Sequence, residues 1–268
     1  MYSPLFYPFG GLGLARYLEL AEAKDAVEFA GVWMERHPDN PAAVCEIAGG
    51  QAVFAGIGSP LSHAVGIGMN GAVSEADFDR LEQFYLVRGS PPIIDLCPFA
   101  DHSLNELLGK RHYRITEFNN VLVRPLAADH VYVNDAVTQS GDEPVWARTV
   151  SIGFMEREEI TPEELEFAGV FFGMPTGTPW IAHAGDEPAA AASMAIQDKL
   201  ALLFGDSTIP RFRKQGLHSA LIQARMAYAA AQGCDLATAS TIPGSGSQAN
   251  YERLGFRLVY MKMIMSRD

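Results

Sequence analysis

At 268 residues, with 48% hydrophobic and 19% charged side chains, the chain is long enough for two domains of about 130 residues, and its composition excludes a disordered or fibrous protein. Its net charge is -12; splitting it near Ala128 leaves 9 Lys+Arg against 15 Asp+Glu before and 11 against 17 after, or -6 on each side. Neither half has the basic excess that a nucleic-acid backbone requires, and a cationic substrate suits it better.

Cys45, Cys97 and Cys234 are too few and too scattered for a disulfide framework or a zinc cluster. The opening "MYSPLFYPFGGLG" lacks a basic leader followed by an apolar run, and no stretch reaches the ~18 uncharged apolar residues of a membrane span. A reducing cytoplasm, with no membrane partner, is the default expectation.

In chain order, apolar residues at helical spacing predict a first helix over 14–36, stopped by "HPDNP". "AAVCEIAGGQAVFAGIG" reads as two strands around a Gly49-Gly50 turn. Ser74 is an N-cap with Asp77 three residues on, opening a helix that ends near Gly89. "PPIIDL" follows as a buried strand, 103–108 as a short helix stopped by Gly109, and "HYRITEFNNVLVRPL" as two strands or one bent one.

The second half repeats this order. "HVYVNDAV" is strand-like, 162–172 is a helix with Glu163 and Glu164 in its first turn, and the segment from Pro179 is a hairpin turning at Gly185-Asp186. "KLALLFGDST" is a strand, 217–232 a helix ended by Gly233, "DLATAS" a strand, 248–254 a short helix, and "FRLVYMKMIM" the closing strand. The shared order predicts two copies of one fold, 1–127 and 128–268.

Chemistry concentrates in "PRFRKQGLHSAL", Pro210 to Leu221. A strand delivers the chain to a basic loop, and a helix starts near Leu217, where first-turn N–H groups lack intrahelical partners and the helix dipole is positive. Gly216 lets backbone approach an anion, and Arg213 and Lys214 add charge. From physics alone the stretch is either a pyrophosphate cradle or an ordinary basic helix entry.

"RKQG" followed by Leu217 resembles the Arg/Gln-x-x-Gly-x-Gly/Ala signature of the GNAT acetyltransferase superfamily, and "NYERLGF" resembles that family's Tyr-Glu-x-Leu-Gly-Phe ending. Two departures stand out: His218 occupies a Gly/Ala position, and Gly244 a position where the family often has Asn. The resemblance implies two tandem α/β (α+β) domains, each a mixed, mostly antiparallel sheet flanked by helices. It also implies an enzyme that moves an acetyl group from acetyl-CoA, as co-substrate, to a primary amine of a small molecule or peptide. No metal is involved, and a homodimer is compatible with it.

By the same resemblance, acetyl-CoA is held by Ser207, Thr208, Arg213, Lys214, Gln215, Gly216, Leu217, His218, Ser219 and Asn250. An alkylamine with pKa near 10.4 must lose a proton before it attacks. The carboxylate nearest the cradle is Asp206, a candidate base or simply a strand-end residue. Tyr251 stands where the family places the acid that protonates the departing thiolate; the plainer reading is an aromatic packed on the last strand.

"GIGMNG" at Gly66 to Gly71 matches Gly-x-Gly-x-x-Gly, but the segment before it is a poor buried strand and the helix begins only at Ser74. It falls where a first copy of the fold would carry its cradle and has no Arg or Lys before Arg80, which marks that copy as degenerate. Leu202 and Leu203 stand where the family often carries a Glu on the strand before the cradle, and that missing carboxylate keeps a rival open, a non-catalytic acyl-CoA sensor or interaction module.

Overall fold

The computed structural model describes residues 11–39 and 42–267, so the opening residues to Gly10 and the Asn40-Pro41 part of the first helix stop lie outside the described residues. The chain divides into two compact units, one running to Val121 and completed by the segment from Leu258, the other Leu122–Arg257. The structural division thus falls slightly before the 127/128 boundary read from the sequence, and the closing strand is counted with the first unit.

The first half contains α1 (Leu12–Arg36), β1 (Ala43–Ile47), β2 (Gly50–Phe54), β3 (Ala64–Val65), α2 (Glu75–Leu86), β4 (Ile93–Leu96), α3 (His102–Lys110) and β5 (Arg114–Pro125). α2 starts where its cap predicts: the Asp77 N–H donates to Ser74 Oγ at 3.1 Å, and the Ser74 N–H donates back to the Asp77 carboxylate at 3.4 Å. Two turns differ from expectation. The hairpin turns on Ala48 and Gly49, at φ 47° and 77°, while Gly50 already pairs with Ile47. α3 runs through Gly109, and the left-handed residue beyond it is His112, at φ 62°.

The second half contains β6 (Val137–Gln139), α4 (Glu143–Met155), α5 (Pro162–Phe172), β7 (Gly177–Ala184), β8 (Glu187–Gln197), β9 (Leu200–Thr208), α6 (Leu217–Ala231), β10 (Leu236–Thr241), α7 (Gly246–Arg253) and β11 (Arg257–Ser266). The predicted strand "HVYVNDAV" is a correction: only its last residue is in β6, because Val131 and Val133 face water at 80% and 82% exposure and have no sheet face to bury. α4 was not anticipated, although Asp142 caps it, accepting from the Val145 N–H at 3.1 Å, and Pro144 sits in its first turn.

The fold is mixed α/β. In the first unit the strands lie in the order β1-β2-β3-β4-β11, and in the second β5-β10-β9-β8-β7-β6. Pairing is mostly antiparallel, with β3/β4 and β9/β10 parallel. Each unit therefore includes a strand from the other half of the sequence: β11 from Leu258 beside β4, and β5 from Leu122 beside β10. The first core gathers Phe78, Leu81 and Tyr85 of α2 against Ile47, Ile94 and Leu104. In the second unit β8 is contacted by both α4 and α6, and its Ala189–Ala192 run is wholly buried. Small side chains let both helices approach the strand closely.

Gly50 has no room for a side chain. A Cβ there would lie 2.5 Å from Gly66 C, Ile67 N and Val65 O, all backbone atoms. Gly50→Ala is expected to destabilise the protein by about 1–3 kcal/mol, the usual cost of overpacking, read as a lower melting temperature or urea midpoint. A change below about 0.5 kcal/mol, the scale of a neutral surface substitution, would show that the 65–67 backbone yields freely.

Candidate functional site

The second unit places its polar side chains around a break in the sheet. β9 and β10 pair at Leu200↔Leu236, Ala201↔Ala237 and Leu202↔Thr238, after which β9 runs on to Thr208 and β10 to Thr241 without pairing to each other. Gly205, at φ 67°, allows the register shift by which β9 pairs Phe204 with Ser193 and then Ser207 with Ala191. The result is a wedge between two parallel strands, with Asp206 in the irregularity itself.

A single-turn 3-10 segment, Pro210–Phe212, then leads to α6. Lys214 and Gly216 are both left-handed, at φ 64° and 83°, and Gly216 is the N-cap without a side-chain cap bond. The first intrahelical bond runs from the Ala220 N–H to Gly216 O at 3.0 Å. The N–H groups of Leu217, His218 and Ser219 therefore have no partner within the helix. The first turn holds no carboxylate, and a Cβ on Gly216 would meet nothing within 4 Å. An anion can reach these groups unobstructed.

Lys214 and Gln215 are exposed and Leu217, His218 and Ser219 half-buried. Arg213 is turned elsewhere: its guanidinium donates to Gly153 O at 3.1 Å and Thr208 O at 3.2 Å and pairs with Glu156 at 2.8 Å. Ser207 is buried and donates to Val150 O at 2.8 Å. Both thus tie α4 to β9, and Lys214 is the cation left at the loop.

Asp206, His218, Asn250 and Tyr251 come together behind that loop. The Tyr251 hydroxyl, with 1% of the residue exposed, donates to Asp206 Oδ2 at 2.6 Å. Asn250 Oδ1 accepts from Arg253, so the amide Nδ2 faces His218 and donates to its Nδ1 at 2.7 Å. The proton of a neutral His218 then sits on Nε2, 3.4 Å from Asp206 Oδ1, an electrostatic contact too long for a good hydrogen bond.

The group that sequence reasoning missed is Arg225. It is wholly buried, pairs with Asp206, and donates to Ser193 O at 2.7 Å and Leu221 O at 3.2 Å. Its signal was a lone charge in the apolar run Ala220–Ala231. Burial is the largest influence on the Asp206 pKa and would raise it, but the Arg225 charge, the smaller contributions of His218 and the Tyr251 hydrogen bond together outweigh it and lower the group from 3.8 to about 2. Burial, reinforced by the Asp206 charge, raises the Tyr251 phenol well above 10. Near neutral pH the cluster is one carboxylate, one guanidinium and one protonated phenol.

Among the described residues no group of His, Cys, Asp and Glu could hold a metal ion, and no helix is long and apolar enough to cross a membrane.

Residues 146–256 match the Acetyltransferase (GNAT) family. A GCN5-related N-acetyltransferase from Kribbella flavida is similar in structure, with TM-score 0.59 and 16% identity over 91% of this chain and 94% of its own. A tandem GNAT protein from the clavulanic acid biosynthesis pathway gives TM-score 0.58 and 12% identity over 91% and 94%. A GCN5-related N-acetyltransferase from Sphaerobacter thermophilus gives 0.50 and 10% over 100% and 96%. At these identities the likeness is one of fold. No curated protein matches the chain.

Removing Arg225 strands a buried carboxylate. Arg225→Met is expected to cost about 3–5 kcal/mol, and Arg225→Met with Asp206→Leu to recover most of it. Because the Asp206 pKa is depressed on folding, its stabilisation is complete above about pH 4 and fades as pH falls towards 2. Denaturant melts of the wild type and both variants between those limits check this. Equal losses in the single and double variants would contradict a pair that matters as a pair.

Proposed function

Because residues 146–256 form an Acetyltransferase (GNAT) family domain, we propose that the protein transfers an acetyl group from acetyl-CoA to a primary amine of a small molecule or peptide. The observation that carries this reading is the open, uncapped N-terminus of α6 beside the β9/β10 wedge. Leu217, His218 and Ser219 would offer N–H groups to the pyrophosphate, Lys214 a positive charge, and the wedge a path for the pantetheine arm. Acetyl-CoA supplies an activated acyl group and a thiolate leaving group. An amine acceptor is supported by the acidic segment after α4: residues 156–166 hold six glutamates against Arg157, and among the described residues only Arg211 and Arg213, paired with Glu158 and Glu156, add to it from the loop before α6.

Asp206 fits the role of a positioning residue better than that of the base. A carboxylate held at about 2 takes a proton poorly from an ammonium, and its oxygens already face Arg225 and Tyr251. Solvent water is the proton acceptor in this scheme. Tyr251 keeps its proton at any physiological pH and is oriented by Asp206, so it serves as the donor to the departing thiolate.

The first unit reads as a degenerate copy. Its corresponding helix, α2, is closed by the Ser74–Asp77 capping box and carries Glu75 and Asp77 in the first turn, both hostile to phosphate. In "GIGMNG" the Gly68 N–H already donates to Ala48 O and the Met69 N–H to Gly66 O.

A second reading, a non-catalytic acyl-CoA sensor, is favoured by one observation: Asp206 and Tyr251 are committed to each other, and no carboxylate on β9 is free. Free-thiol release from acetyl-CoA across a panel of primary amines separates the two. We expect release, and a fall in kcat of about 10²- to 10⁴-fold in Tyr251→Phe with little change in acetyl-CoA affinity. Thermal stabilisation by acetyl-CoA without release on any amine supports the sensor, and full activity in Tyr251→Phe removes that residue from the mechanism.

A further inference from the structure

A concavity in the second unit lies away from the wedge. It has a volume of about 550 Å³ and lies between residues 130–138, the start of β7 and the C-terminal half of α6. Its walls include Tyr132, Trp180 and Tyr228, with Ala227 on the helix and Asp135 on the irregular segment. At 1.5 Å per residue, Ala227 is about 16 Å along α6 from Gly216, so this is a different place from the acetyl-CoA site.

The walls are held in position. Trp180 and Tyr228 meet edge to face with centroids 5.6 Å apart. Asn134 Nδ2 donates to the Tyr132 hydroxyl at 3.0 Å, and Asn134 Oδ1 accepts from the Ala136 N–H at 3.0 Å. The His183 N–H donates to Ala136 O at 2.8 Å, which fixes the segment to β7. Asp135 is exposed and makes no ion pair among the described residues. His130, the one basic side chain among the residues of the wall, has its pKa lowered by burial and by the Arg124 charge, so it adds no positive charge near neutral pH.

We propose that this cavity is a second binding site, one that takes an organic ammonium ion between the aromatic side chains of Tyr132, Trp180 and Tyr228, with Asp135 as its counter-charge. Aromatic faces attract cations, most strongly where water is displaced. A carboxylate at the mouth, on a chain of net charge -12, favours a cation over an anion and gives a charged ligand an advantage over a neutral one of the same shape.

The probe pair is choline and 3,3-dimethyl-1-butanol, its uncharged isostere, titrated into the ¹⁵N-labelled full chain. The chain has three tryptophans, and Trp180→Phe assigns the Trp180 indole signal. Its Nε1–H has no acceptor in the protein, which makes the signal a sensitive reporter. We expect choline to shift it saturably, about tenfold more tightly than the isostere. Asp135→Asn, on an exposed loop, is expected to weaken choline about three- to tenfold and leave the isostere unchanged. Equal binding of the two probes, no saturable shift with choline, or an unaltered Asp135→Asn variant would each overturn the proposal.

Discussion

The second unit depends on one buried ion pair. Asp206 lies in the irregularity of β9, Arg225 two turns into α6, and neither charge has adequate access to water. Taking both out of solvent is expensive, and mutual attraction repays that only when the remaining donors and acceptors are also satisfied. Here they are: Arg225 reaches three carbonyls, one each on β8, β9 and its own helix, and Asp206 takes the Tyr251 hydroxyl. A strand, two helices and the proposed proton donor are therefore set by the same electrostatic requirement.

The two halves share the run of three strands, helix, strand, helix and strand, and differ in the local chemistry of that run. Helix α2 closes its N-terminus with its own side chains, and α6 leaves its N-terminus open behind a left-handed glycine. A capped terminus has satisfied its N–H groups and has little left for an anion; an uncapped one gives up that stabilisation and retains binding capacity. This contrast, more than any difference in sheet order, supports assigning the acetyl-CoA role to the second unit.

The features legible in the sequence were local ones. Ser74 with Asp77 acts within a single turn of helix and forms the capping box; Thr161 with Glu164 forms one too, and only the first-turn glutamates of that helix were read from the sequence. The Gly49-Gly50 turn was misplaced by one residue because Ala48 takes a left-handed conformation and Gly50 is demanded by the distant 65–67 backbone. The alternating valines of 130–137 looked like a strand, but whether a strand forms depends on a surface to cover, which periodicity does not reveal. The open entry to α6 was legible as a glycine and basic residues before a helix. The Asp206–Arg225–Tyr251 cluster was not, since its members are joined only by the fold.

The central claim is that the open α6 terminus, and not the basic side chains alone, holds acetyl-CoA. Calorimetric titration of acetyl-CoA into the wild type, Gly216→Asn and Gly216→Asp tests it most directly. Asn and Asp share similar size and tolerance of the left-handed conformation that Gly216 adopts at φ 83°, so they differ mainly in charge. The account predicts one site per chain, a moderate loss in the Asn variant, and a further loss of about tenfold or more in the Asp variant, as expected for a carboxylate set against a phosphate. Equal affinity in all three proteins, or two sites per chain, would contradict it.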